Sequence, residues 1–205
     1  ASDDSTITNY EFANRLSYFL WSSLPDEELS QLAENNKLND RDILKEQVLR
    51  MVEDPRSRSF VEGFAEAWLR LDKLGTMPPA SLKFREYYRY GLEEAMLEET
   101  HLFVSNALHP NAEIIDFIHS EYGFLNQDLA RHYGIDGVEG VHFRKVALPD
   151  NSVRGGLLGQ ASILTLSANG VDTSPVVRGI WVLESLLGTP PSPPVSYTHL
   201  RAHET

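Results

Sequence analysis

Apolar positions recur at helical spacing from near the start of the chain. Thr8 and Glu11 are spaced as a capping box, and Ile7 and Phe12 as a hydrophobic staple. Together they predict a helix that buries Phe12, Leu16, Phe19 and Leu20. Pro25 opens a second helix, with Asp26, Glu27 and Glu28 in a first turn where the helix dipole favours anions. Asn39 or Asp40 starts a third, turning Ile43, Leu44, Val48, Met51 and Val52 inward. Asp54-Pro55 repeats the cap-then-proline device for a fourth, striped by Phe60, Val61, Phe64, Ala65, Trp68 and Leu71.

Beyond a turn at 75–80, residues 82–90 form a short aromatic-rich helix and 92–108 the longest one. The long helix turns Leu92, Ala95, Met96 and Phe103 inward and Glu93, Glu94, Glu98 and Glu99 toward water. Two shorter helices follow at 111–118 and 126–133, the second closed by Gly134. Residues 136–152 change character: turn chemistry surrounds His142 to Leu148, which reads as a short strand or an extended linker. Near the C-terminal side, Thr173 or Ser174 caps a helix with Pro175 at its first position. Val176, Val177, Ile180, Trp181, Leu183 and Leu187 give that helix a wide apolar face; Gly188, Pro190 and Pro191 end it. The pattern predicts an all-α protein: a multi-helix body over 1–135, a Gly/Pro-containing linker over 136–152, and a small second helical unit over 153–195 that runs into a polyproline-II spacer.

Four separated segments carry a family resemblance. RLSYFLWSSLPDEEL from Arg15, EDPRSR from Glu53 and FLNQDLARHYGI from Phe124 resemble the planctomycete secreted domain of family 1592. TSPVVRGIWVLESLLGTPP from Thr173 resembles the signature of the planctomycete cytochrome-like domain of family 1588. The resemblance implies an exported protein, periplasmic or extracellular, in which the proline run leads into a Cys-x-x-Cys-His haem-attachment motif. Residues 153–195 would then be the N-terminal part of a cytochrome-like domain, with haem c in the complete protein and a haem-bearing neighbour as partner. Residues 196–205, SYTHLRAHET, share nothing with the preceding pattern and resemble a translated sequencing adapter, so His199 and His203 carry no functional weight.

Composition narrows the function classes. The 205 residues carry a net charge of -12, with a pI near 5.0. That balance opposes binding to a nucleic-acid backbone, which relies on clustered cations, and to an anionic membrane surface. No apolar run approaches the roughly twenty residues a membrane span needs. The absence of cysteine excludes disulfides, thiol catalysis and covalent haem within this chain. The opening ASDDSTITNYEF reads as the middle of a longer protein, so export follows from the family alone.

Candidate chemistry is sparse. Glu98 and His101 have the Glu-x-x-His spacing of carboxylate-bridged metal bundles, but a second motif of that kind occurs only at Glu139 and His142, in a glycine-rich loop; the pair reads better as a solvated acidic face. Asp116, Glu121 and Asp128 lie near His119 and His132 in sequence, as an acid–base pair would require. Gly-x-Ser-x-Gly is absent. Arg154-Gly155-Gly156 lacks a Walker lysine and reads as a hinge. Arg178 sits in a first helical turn, against the dipole, which calls for a carboxylate partner or a haem propionate. Trp181 falls at the edge of its apolar face. Tyr87, Tyr88 and Tyr90 form either a sugar-stacking platform or an ordinary helix contact.

The leading expectation is a non-catalytic scaffold of an exported c-type cytochrome-associated protein. The complete protein would work in electron transfer or haem-dependent oxidation with a redox partner. The alternative is a secreted module binding carbohydrate or protein through the tyrosines. A metal hydrolase at Glu98 and His101 is a third class.

Overall fold

A computed structural model describes residues 7–150 and 152–192. The predicted tail over 196–205, with His199 and His203, lies outside the described residues. The described chain is mainly helical, as the periodicity predicts, with one two-stranded antiparallel sheet.

The N-terminal layer consists of α1 (Asn9–Trp21), α2 (Glu27–Glu34) and α3 (Arg41–Glu53). Thr8 and Glu11 form the expected capping box. Asp26 lies outside the first turn of α2: it is the N-cap, accepting from the Leu29 amide. Asp40 caps α3 through the amides of Asp42 and Ile43. Ala13, Leu20, Trp21, Leu29, Leu38 and Met51 form this layer's core. Phe19 is exposed, not buried, because the inward face of α1 runs through Asn9, Ala13, Ser17 and Leu20. Its ring leans on Phe60 instead, with centroids 4.9 Å apart.

Asp54 caps a 3-10 turn, Pro55–Ser57, that leads into α4 (Arg58–Leu69). A short α5 (Arg85–Arg89) then precedes α6 (Leu92–Ala107), against which α4, α5, α7 and α8 all pack. Being covered on several sides, α6 buries Glu99 and Thr100 as well as its apolar residues. Of the four glutamates expected to face water, Glu99 is therefore a correction. The helix predicted over 111–118 is reduced to a 3-10 turn at Ile114–Phe117.

Strand β1 (Tyr122–Leu125) pairs with β2 (Arg144–Ala147), Tyr122 opposite Ala147 and Leu125 opposite Arg144. Between them α7 (Gln127–Tyr133) is capped by Asn126 and closed by left-handed Gly134. After β2 come α8 (Ala161–Leu166) and α9 (Pro175–Trp181), and α9 widens into a π-turn over Val182–Leu186. Leu157, Ile163 and Trp181 share one core cluster with Val61, Leu69 and Phe103 of α4 and α6.

Candidate functional site

The geometry of α9 follows from its sequence. Ser174 is the cap, accepting from the Val177 amide, and Pro175 occupies the first turn. One side of the helix docks on α4. Trp181, only 5% exposed, lies within the core, whereas the sequence placed it at the edge. The shift arises because α4 approaches from the Trp181 side: the Trp181 Nε1 donates to the Leu69 carbonyl at 2.9 Å, and the Trp68 Nε1 donates to the Ser185 carbonyl at 2.7 Å. Leu69 and Ser185 both lie in terminal turns, where carbonyls have no intrahelical donor. Each tryptophan thus satisfies an end of the other's helix.

The rest of the apolar face that Trp181 belongs to is bare among the described residues. Val176 is 72% exposed and Leu187 62%, with Val177 and Ile180 also exposed. Arg178 has no carboxylate within ion-pair distance among the described residues; its Nε donates to Ser167 Oγ at 3.3 Å and its buried Nη2 has no acceptor. The first-turn position expected for Arg178 is not the one observed: it is the fourth residue of α9 and falls in the last turn, where the helix dipole favours a cation.

A second cluster was not visible from sequence position alone. Glu99 is 2% exposed and accepts the hydroxyl hydrogen of Tyr133. That hydroxyl also accepts from the Ala161 amide at 2.8 Å. The Arg154 guanidinium lies 3.8 Å from the Tyr133 ring centroid and donates to the Gly159 carbonyl at 2.8 Å. Burial pushes the Glu99 carboxyl up to about 8, against the opposing pull of the Tyr133 hydrogen bond and the Arg154 charge. Burial and the neighbouring carboxylate likewise raise the Tyr133 hydroxyl. The adjoining void is only about 10 Å³, about the minimum for a single water. Glu99 can hold a proton here, beside a space no larger than a water. One sequence signal pointed this way: Leu92, Met96, Glu99 and Phe103 are spaced four, three and four apart, which puts the carboxylate on the apolar stripe.

Beside this cluster the chain passes close to itself. A Cβ on Gly155 would lie 2.8 Å from the Ser120 carbonyl oxygen, and one on Gly156 2.6 Å from the Ile118 carbonyl carbon. Arg154-Gly155-Gly156 forms a backbone seam against residues 118–120.

The remaining sequence candidates are dispersed. Glu98 receives a two-pronged bond from Arg58, at 3.2 and 2.6 Å. The buried Nε2 of His101 has no hydrogen-bond partner among the described residues. No group of three or more metal-ligating side chains converges among the described residues. Asp116 accepts from the Tyr122 hydroxyl at 2.7 Å, and Asp128 pairs with Arg131 at 3.2 Å. Tyr87 is buried and donates to Glu93 Oε2 at 2.6 Å. Tyr88 is 48% exposed and donates to the Pro79 carbonyl. Their rings meet at 74°, and the half-buried Tyr90 ring is flanked by Arg89 and Arg131.

These features define a mainly helical protein with a bare apolar helix face and a sealed proton site. Residues 7–135, more than half of the chain, match the family profile described as PSD4, protein of unknown function (DUF1592), and the chain belongs to that family. Residues 154–205 match PSCyt3, protein of unknown function (DUF1588). Both are the families that the four sequence segments resemble. No curated protein and no solved structure matches the chain. Among the described residues, no helix is long and apolar enough to cross a membrane.

Proposed function

We propose that this chain is the non-catalytic helical scaffold of an exported, c-type cytochrome-associated protein. The observation that carries this reading is the exposed stripe of Val176, Val177 and Ile180 on α9 and of Leu187 just beyond the π-turn. It lies in the segment matching a family whose name, PSCyt3, points to cytochromes. With no cysteine, the chain can form no thioether to haem, so the group would be held by a segment outside these residues. What α9 supplies is an apolar cover and, in the Nη2 of Arg178, which has no acceptor among the described residues, a donor suited to a carboxylate such as a propionate. Haem bound in that partner segment would bring the redox chemistry, with the surrounding protein setting its exposure and polarity. The carbohydrate-binding alternative is the weaker reading: of its three rings Tyr87 is buried, Tyr90 is half-buried between two arginines, and Tyr88 alone is largely exposed.

The test starts from the parent gene, read through the codon for Val195 and expressed with a haem-maturation system. A Cys-x-x-Cys-His motif and a covalent haem absorbance in the purified protein are the expected result. A reading frame without that motif and a colourless product would sink the proposal.

A further inference from the structure

A cavity of about 510 Å³ opens between the segment leading into α5 and the loop that joins α8 to α9. Its size is in the range of small-molecule sites. Leu92 and Met96 of α6 contribute to its lining and are themselves fully buried. Phe84, Leu164 and Val171 add apolar surface. The two sides are tied together: the Ala80 amide donates to the Gly170 carbonyl at 2.8 Å, and Lys83 Nζ donates to the Val171 carbonyl at 3.1 Å. Gly170 permits this closure, since its φ is +81° and a Cβ there would lie 2.7 Å from the Pro78 carbonyl oxygen.

The polar groups indicate what would fill it. Lys83 and Arg85 are matched by Glu86 and Asp172 around the lining, so its formal charges cancel. Lys83 already faces Asp172 at 3.5 Å. The Thr165 hydroxyl has a single acceptor among the described residues, the thioether sulfur of Met96 at 3.8 Å, which is a weak one. The His132 side chain, also in the lining, makes no hydrogen bond among the described residues, and desolvation with the Arg154 charge lowers its pKa, which favours the neutral imidazole near pH 7.

We infer that this cavity binds a neutral, mostly apolar small molecule carrying a hydrogen-bond acceptor that receives the Thr165 hydroxyl. The apolar lining takes the body of the ligand, the balanced charges select neither cation nor anion, and the acceptor replaces the thioether as Thr165's partner. This site is separate from the α9 face and does not depend on the haem reading.

The neutral, carbonyl-bearing dye Nile red and the hydrocarbon diphenylhexatriene serve as probes on the 205-residue chain. Both should bind saturably. Val171→Trp, at a partly exposed position in the lining, should weaken both by about ten-fold or more, the scale expected when a bulky side chain takes the ligand's volume. Ile180→Ser, on the bare face of α9, should leave both unchanged. Thr165→Val should weaken Nile red about five-fold, as expected for one lost hydrogen bond, and spare diphenylhexatriene. Absence of saturable binding overturns the site, as does binding that survives Val171→Trp or vanishes with Ile180→Ser. Equal Nile red affinity for Thr165→Val overturns the assigned acceptor.

Discussion

Tyr133 donates its hydroxyl hydrogen to Glu99 and accepts one from the Ala161 amide, so a single phenol joins α6, α7 and α8. The carboxylate it holds is raised to about 8 by burial. A group with a raised folded-state pKa contributes stability that is fully present below its unfolded value and is lost as pH rises through the folded one. Unfolding free energy should therefore fall by about 1 kcal/mol per pH unit between pH 6.5 and 8, the slope flattening as the folded-state pKa is reached. The neighbouring His132, whose pKa is lowered, titrates below that window. Glu99→Gln should flatten the slope while retaining an acceptor for Tyr133. Urea titrations at several pH values read both, and an unchanged slope in the variant would show that another group carries the titration.

The two tryptophans that cap each other's helices should be unequal. Trp181→Phe strands the buried Leu69 carbonyl and should cost about 1–3 kcal/mol. Trp68→Phe strands the Ser185 carbonyl at a part-buried position and should cost less. Chemical denaturation of both variants tests the order, which fails if Trp68→Phe proves the more damaging.

Glycine matters for different reasons at two positions. Gly134 has φ +70° and open space around its missing Cβ, whereas Gly156 has φ +62° and meets the Ile118 backbone. Alanine at 134 should cost about 1–2 kcal/mol, the left-handed penalty alone. Alanine at 156 should cost more, because the seam must also part. Similar melting temperatures for the two variants would contradict the close approach.

Asp26 serves α2 and α3 together. Its Oδ1 accepts from the Leu29 amide at 3.0 Å, and the Arg50 guanidinium donates to both carboxylate oxygens. Asp26→Ala should cost about 1–2 kcal/mol, the scale of a lost cap. Asp26→Asn, which can still cap, should cost less than about 1 kcal/mol because the pair is partly solvated. Hydrogen bonding from Arg50 holds the Asp26 carboxyl below its ordinary range, so its contribution is present above the unfolded pKa and fades as pH falls through the lowered one.

The helix starts were legible because capping is local: Thr8, Asp40, Asp54 and Ser174 each act within three residues of their own position. Glu99, Phe19 and Trp181 were misplaced for the opposite reason. Which side of a helix is inward depends on partners distant in sequence, and α6 has partners on several sides. Strand β1 went unpredicted because a four-residue segment shows too little alternation to register. The cavity was illegible because its lining is assembled from distant segments: Met96 and Thr165 meet across 69 positions of sequence.

The tryptophan exchange also imposes an order of events on the ribosome. The Leu69 carbonyl waits for Trp181, 112 residues later in the chain. At typical translation speeds that interval is about 6 to 22 seconds. During it α4 is already synthesised, with Val61 and Leu69 still lacking part of their final cover. A nascent chain halted before α9 lacks Trp181 and so leaves part of that surface uncovered until the last helix emerges.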